Sequence, residues 1–298
     1  MLRGWVGSSL QAHSFEYVRP ATVAQTVQIL GEKGGRAKVL AGGQSLIPVL
    51  KLRLANPQVL VDISRLPGLA FIQERGGRLR IGALSRHRDF EESKLVRDKY
   101  PILADVAASL GDPQVRNLGT IGGALAHADP ASDWGTALLV FETELIAKGP
   151  KGTRTIPIDG FFKDPFTTAL RPSELLTEIL LPKSEPGNGG AYLKLKRKTG
   201  DFATVGVAVQ IGLDPKRNVT RIRLALAAAG PTPMRAVKAE QALVGKRAGP
   251  TAFAEAARIA AEEGKPEADL RGSTEYKRAM IEVFTRRALE TAAGRTGR

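Results

Sequence analysis

The stretch Val39-Leu40-Ala41-Gly42-Gly43-Gln44-Ser45-Leu46-Ile47-Pro48 constrains this chain more than any other. A short apolar strand stops at two glycines, and helical spacing resumes from Ile47 to Leu54. Adjacent glycines leave their N–H groups unshielded by a Cβ, so a bulky anion approaches the main chain closely. The helix that follows aims its N-terminus and dipole at the same place. This is the chemistry of a pyrophosphate cradle. Alone, a glycine pair at a strand end more often reads as a tight turn. A second pair, Gly122-Gly123, stands in a similar setting and favours the cradle.

With 298 residues and a hydrophobic fraction of 43%, the chain has material for two domains and is of ordinary globular composition. It contains no cysteine, which removes disulfides, thiolate nucleophiles and any iron–sulfur cluster or Cys-ligated zinc held by this chain. His13, His87 and His127 are scattered without metal-ligand spacing. The net charge of +14 raises nucleic acid as a partner, but the charges are dispersed and no aromatics interleave with them. No apolar run is long enough to span a bilayer. Residues 1–14 lack a proper apolar core for a signal peptide and read as a disordered leader.

Along the chain, Phe15 to Pro20 reads as a strand, and Thr22 caps a helix that Gly34-Gly35 ends. Lys38–Ala41 and Pro57–Ile63 are further strands, giving a small β-α-β-α-β unit. Gly76-Gly77 marks a hairpin within Leu69–Leu84. Ser85 is expected to cap a helix carrying His87, Phe90 and Leu95, and a second helix over Tyr100–Leu110 is broken by Asp112-Pro113. Asn117 to Ala124 reads as a glycine-rich turn that leads to a helix starting at Asp133. Leu145–Ile156 is a second hairpin, and Ser184–Gly190 is the expected linker. Beyond it come three antiparallel strands, Ala191–Lys198, Phe202–Leu213 and Val219–Ala227, then helices Val237–Val244, Thr251–Glu263 and Ser273–Ala292.

The dinucleotide pattern G-x-G-x-x-G and the triphosphate pattern G-x-x-x-x-G-K-[ST] are both absent. His127 with Asp129 or Asp133 admits acid–base work, though a polar cap at a turn explains it as well. Ser45 lacks the G-x-S-x-G frame of a nucleophile and reads as a helix cap or a phosphate donor. In a strand, Lys194, Lys196 and Lys198 share one face, either solvated or reaching toward a ligand of the first domain. Asp201-Phe202 follows and brings an aromatic ring to the same region.

These residues carry a family resemblance. Ala41-Gly42-Gly43-Gln44-Ser45-Leu46 with Lys51-x-Arg53, Thr120-Ile121-Gly122-Gly123, Ala128-Asp129-Pro130-x-x-Asp133 and Tyr192 through Thr204 resemble the flavoprotein medium subunits of the molybdenum hydroxylases. Within this xanthine dehydrogenase family the likeness is greatest to carbon monoxide dehydrogenase medium chains. The resemblance runs from Phe15 to the last helix. It implies an α+β chain: a PCMH/VAO-type FAD-binding fold of two α/β subdomains over residues 15–183, then a C-terminal three-stranded antiparallel sheet with helices over 190–298.

Carried over residue by residue, the resemblance implies FAD contacts. Leu40 opens the loop in which Ala41, Gly42, Gly43, Gln44 and Ser45 wrap the pyrophosphate, with Leu46 beside it. Thr120, Ile121, Gly122, Gly123 and Ala124 form a second wall. Asp133 lies toward the ribose or adenine, Leu170 and Lys194 lie near the isoalloxazine, and Leu110 is a further contact. Phe202 stands where relatives carry a tyrosine. Gln44 replaces a histidine and Ala124 an asparagine common in relatives, which weakens side-chain contacts and leaves the backbone cradle. No residue is expected to be catalytic.

The resemblance further implies non-covalent FAD, with the molybdenum cofactor and [2Fe-2S] clusters confined to a large and a small partner subunit. It implies a dimer of heterotrimers, cytoplasmic or at the inner face of the membrane, passing electrons from the iron–sulfur subunit to quinone or another acceptor. The substrate, whether carbon monoxide, an aldehyde, a purine or another heterocycle, is chosen in the molybdenum subunit. Two alternatives stay open from sequence: a stand-alone flavin oxidase of the same fold, and a basic nucleic-acid-binding or scaffold protein without cofactor.

Overall fold

The computed structural model describes residues 12–185 and 187–297. Residues 1–11 of the expected leader and Pro186 of the expected linker lie outside the described residues.

The first unit is parallel. Strands β1 (Glu16–Val18), β2 (Ala37–Leu40) and β3 (Val59–Asp62) pair in the order β1-β3-β2. Helix α1 (Val23–Lys33) links β1 to β2; the Thr22 side chain accepts from the Gln25 amide at its start, and Gly34 closes its end. Its buried residues Val27 and Leu30 share a core with Val59 and Val61. Helix α2 (Leu46–Lys51) stops short of the predicted Leu54, and the Ser45 side chain makes no cap bond to it.

The second unit begins with the hairpin β4 (Ile72–Arg75) and β5 (Arg78–Gly82), turning at Gly76-Gly77. Six helices follow: α3 (His87–Glu92), α4 (Lys94–Lys99), α5 (Pro101–Ser109), α6 (Pro113–Leu118), α7 (Ile121–His127) and α8 (Asp133–Leu139). Then come β6 (Glu144–Gly149) and β7 (Gly152–Pro157), a small ribbon of β8 (Phe162–Asp164) and β9 (Thr167–Thr168), and β10 (Leu175–Pro182). The large sheet runs β4-β5-β10-β6-β7, antiparallel throughout.

Several local expectations are corrected here. Ser85 caps nothing, because its hydroxyl is bonded to the main chain of Phe71; Arg86 precedes α3, and Leu95 belongs to α4, which Ser93 caps. Asp112-Pro113 does end the preceding helix, but Asp112 at once caps α6 by accepting from the Val115 amide. Gly122-Gly123 form no turn; Thr120 caps α7 and the pair lies in its first turn.

The third unit is the antiparallel sheet β11 (Asn188–Leu195), β12 (Val205–Leu213), β13 (Val219–Ala227) and β14 (Met234–Arg235), in that order. The two-residue β14 adds a fourth strand to the three predicted. β11 starts inside the expected linker and ends at Leu195, so Lys196 and Lys198 follow the strand. Alternation decides which way each residue faces. Tyr192, Ala208 and Ala225 join the core around α5 and α8, while Val207, Val209 and Leu224 pack with α9 (Val237–Leu243), α10 (Pro250–Glu263) and α11 (Thr274–Gly294). The helices of the second unit therefore lie between two sheets, and that layer positions the site.

Candidate cofactor site

The first glycine loop leaves the C-terminal end of β2, the edge at which open α/β sheets place their ligands. It lies directly on the segment before α7. A Cβ built on Gly42 would stand 2.1 Å from the Leu118 carbonyl oxygen and 2.8 Å from the Gly119 Cα. No side chain fits such a gap, so main chain meets main chain. The loops also approach at Gly123, whose Cβ would lie 3.7 Å from that of Ala41. Gly43 has φ +73°, which a side chain would strain.

The polar groups of the loop suit an anion. Its carbonyls at Gly43 and Ser45 are taken by the Ile47 and Val49 amides, while the N–H groups of Gln44, Ser45 and Leu46 meet no acceptor among the described residues. Gly43, Gln44, Ser45 and Leu46 are half-buried. Amides without an acceptor among the described residues, main chain against main chain at Gly42, and partial shelter from water match what a pyrophosphate needs. With only six residues in α2, the loop backbone supplies the cradle and the helix dipole adds little. Gln44 folds back, its side-chain amide donating to the Gly42 carbonyl at 3.2 Å. Thr120 accepts from the Gly123 amide, which closes the start of α7; Ile121 and Gly122 donate to Ser85 and Ala83, fastening α7 to the sheet end.

Asp133 and Lys194 meet each other. The Lys194 Nζ donates to Asp133 Oδ2 at 2.8 Å, and both side chains are buried, at 2% and 8% exposure. The Tyr192 hydroxyl donates to the other carboxylate oxygen. Burial, then the Asp133 charge and hydrogen bond, push the Tyr192 hydroxyl up from its ordinary value. Asp133, expected toward the ribose or adenine, and Lys194, expected near the isoalloxazine, thus stand at one place, where β11 sits on α8. Lys196 is likewise engaged, donating to the Ser109 carbonyl at 3.0 Å, so the basic run is not a free face.

The remaining expected residues have other contacts. Leu110 ends α5, packs on the helical core, and its carbonyl accepts from Arg116 at 3.1 Å. Leu170 packs on the same core behind β9, its amide bonded to the Thr168 hydroxyl. Phe202 is 46% exposed with the Arg271 guanidinium 5.8 Å from its ring centroid. Asp201 binds Arg197 and Arg271 at 2.9 Å each. Burial opposes its charge, but the two guanidiniums win and hold it at about 2. His127 lies 4.0 Å from Asp129, and Asp133 turns away to Tyr192 and Lys194, so no acid–base pair with Asp133 forms.

Sequence reasoning missed three residues. Tyr192 was legible, since it lies two residues before Lys194 on a strand and must share its face. His87 and Trp134, which join α3 to α8 by a 3.0 Å hydrogen bond, carry no local signal because their pairing depends on helix packing. Burial, and then the charge of Arg116, push His87 down to about 4.

Two family models match the chain: the FAD binding domain in molybdopterin dehydrogenase over residues 13–184, and the CO dehydrogenase flavoprotein C-terminal domain over residues 190–292. The carbon monoxide dehydrogenase medium chain of Hydrogenophaga pseudoflava is 43% identical over 281 residues, covering 94% of this chain and 98% of that one. Subunit alpha of the 6-hydroxypseudooxynicotine dehydrogenase complex of Paenarthrobacter nicotinovorans is 36% identical, covering 95% of each. Among solved structures, a carbon monoxide dehydrogenase from Hydrogenophaga pseudoflava lacking the Mo-pyranopterin moiety of its cofactor superposes with a TM-score of 0.93 at 44% identity. The match covers 96% of this chain and 99% of that one.

Proposed function

The chain belongs to the FAD-binding medium subunits of the molybdenum hydroxylases, and from that premise we propose how this subunit works. It holds FAD non-covalently between the two glycine loops, accepts electrons from a small [2Fe-2S] subunit, and delivers them to quinone or another acceptor. A large subunit carries the molybdenum cofactor and oxidises the substrate; carbon monoxide is the first substrate to test, given the likeness to carbon monoxide dehydrogenase medium chains. The assembly is a dimer of heterotrimers in the cytoplasm or at the inner face of the membrane. Residues 15–183 are the FAD-binding domain and residues 190–298 the C-terminal domain.

One observation carries the cofactor reading: the contact of Gly42 with Leu118 and Gly119 beside three amides that meet no acceptor among the described residues. Bound FAD supplies the electron-transfer chemistry, and the protein binds and orients it. The amides of Gln44, Ser45 and Leu46 donate to the pyrophosphate; glycine at 42 lets the loop close on Leu118 and Gly119, and Gly43 takes the φ of +73° that turns the loop. The family resemblance assigns Asp133, Lys194, Leu110, Leu170 and Phe202 to the rest of the FAD site, with Phe202 presented under Arg271. The absence of cysteine supports non-covalent attachment, since no thiol is available to the flavin. That relatives with similar medium chains are named for substrates as unlike as carbon monoxide and 6-hydroxypseudooxynicotine supports substrate choice on another subunit.

The test is purification with whatever subunits accompany the chain, acid precipitation, and metal analysis. Flavin released to the supernatant as FAD, with iron and molybdenum on companion chains, is the expected result. Flavin retained in the pellet, or a chain that oxidises small alcohols with oxygen unaided, would overturn it.

A further inference from the structure

His87 and Trp134 belong to neither glycine loop, yet they join the loops to the C-terminal sheet. The His87 ring lies against Gly119, on which an added Cβ would stand 2.6 Å from Nε2. The main chain is tied there too, with the His87 amide donating to the Gly119 carbonyl at 3.0 Å. Across the ring, Nδ1 accepts from Trp134 Nε1 at 3.0 Å. An indole N–H only donates, so the neutral imidazole carries its proton on Nε2, the nitrogen facing the loop. Trp134 is wholly buried, its ring 4.5 Å from that of Phe90. Its neighbour Asp133 holds Tyr192 and Lys194 of β11. The first turn of α8 thus carries, on adjacent residues, the indole that holds His87 against the loop and the carboxylate that reaches the sheet.

We propose that His87 and Trp134 form a brace coupling FAD binding in the glycine loops to the seating of the C-terminal sheet on Asp133. The proposal rests on the FAD reading above and adds to it a route between two parts of the cleft. Gly42 rests on Gly119, Gly119 on His87, and His87 on Trp134, beside Asp133 with its two partners from β11. The contacts are main chain or buried side chain packed without slack, so a displacement at one end is passed on and not absorbed. Coupling between binding events is reciprocal: a ligand that fixes the loops tightens the sheet, and a loosened sheet weakens the ligand. His87 and Trp134 act as positioning residues.

The experiment measures FAD affinity by flavin fluorescence quenching, and hydrogen exchange of the apo proteins at the His87, Ile121 and Tyr192 amides. Trp134→Phe keeps a ring and removes the N–H, His87→Leu removes the acceptor, and His87→Asn keeps an oxygen near the place of Nδ1. Loss of one buried hydrogen bond predicts FAD binding weaker by about tenfold for Trp134→Phe and for His87→Leu, with His87→Asn within about threefold of wild type. The double variant should lose no more than either single one, as expected of partners in one bond. Exchange at the Tyr192 amide should quicken in Trp134→Phe. Should that variant not fold, Tyr192→Phe tests the brace from the other end and should quicken exchange at the Ile121 amide. Val209→Ala, which thins the far face of the sheet, should lower stability and leave FAD affinity unchanged. Trp134→Phe binding FAD as tightly as wild type, or losing no more than Val209→Ala, would reduce the pair to core packing. A wild-type chain that binds no FAD would sink the flavin reading instead, and the apo exchange comparison would then decide the brace alone.

Discussion

His87 shows how a single side chain carries a consequence for the whole fold. Free imidazole titrates near 6.5, and burial holds His87 at about 4 in the folded chain. Between those values the unfolded chain binds the proton and the folded one does not, so stability is full above the upper value. It is lost as pH falls through the window. The loss should total roughly 3 kcal/mol from this residue. Urea denaturation from pH 7 to pH 4.5 should show the decline, with a shallower slope in His87→Asn. An identical slope in that variant would assign the acid sensitivity to other groups. The same residue marks where sequence reading stops. His87 and Trp134 meet only because α3 and α8 pack side by side, and no spacing rule reaches across that separation.

At the scale of elements, β11 was legible in outline and its partners were not. Period two placed Lys194 and Lys196 on one face, and the structure puts that face on α8 and α5. What alternation cannot say is that Asp133 waits opposite Lys194. Nearby, Ser85, Asp112-Pro113 and Gly122-Gly123 all carry strong local signals: the break at Asp112-Pro113 holds, while Ser85 caps no helix and the glycine pair forms no turn. In each, an additional partner decided the outcome, whether Phe71, Val115 or Thr120. The Asp133–Lys194 pair yields a prediction of its own. Removing one member of a buried ion pair strands the other, so Lys194→Met should cost about 3 kcal/mol or more, while Asp133→Leu combined with Lys194→Met should recover much of it. Chemical denaturation of both variants checks this; a single variant as stable as wild type would mean that the pair is solvated.

The whole molecule places a helical layer between two sheets, with a parallel unit supplying the first glycine loop. No helix among the described residues is long and apolar enough to cross a membrane, and no cluster of metal-ligating side chains occurs among them. At this scale the general architecture was readable because turns, caps and alternation agree over long stretches, and the glycine motifs point to one cleft. The proposed FAD site is the cradle formed where Gly42 meets Leu118 and Gly119. Titration of the purified apo chain with FAD, followed by flavin fluorescence, tests it most directly when wild type is compared with Gly42→Val and Gly43→Val. Wild type should take up one FAD per chain, and both variants should retain none while their far-ultraviolet circular dichroism stays native. A variant that keeps full flavin content, or a wild-type chain that stays colourless, would contradict the account.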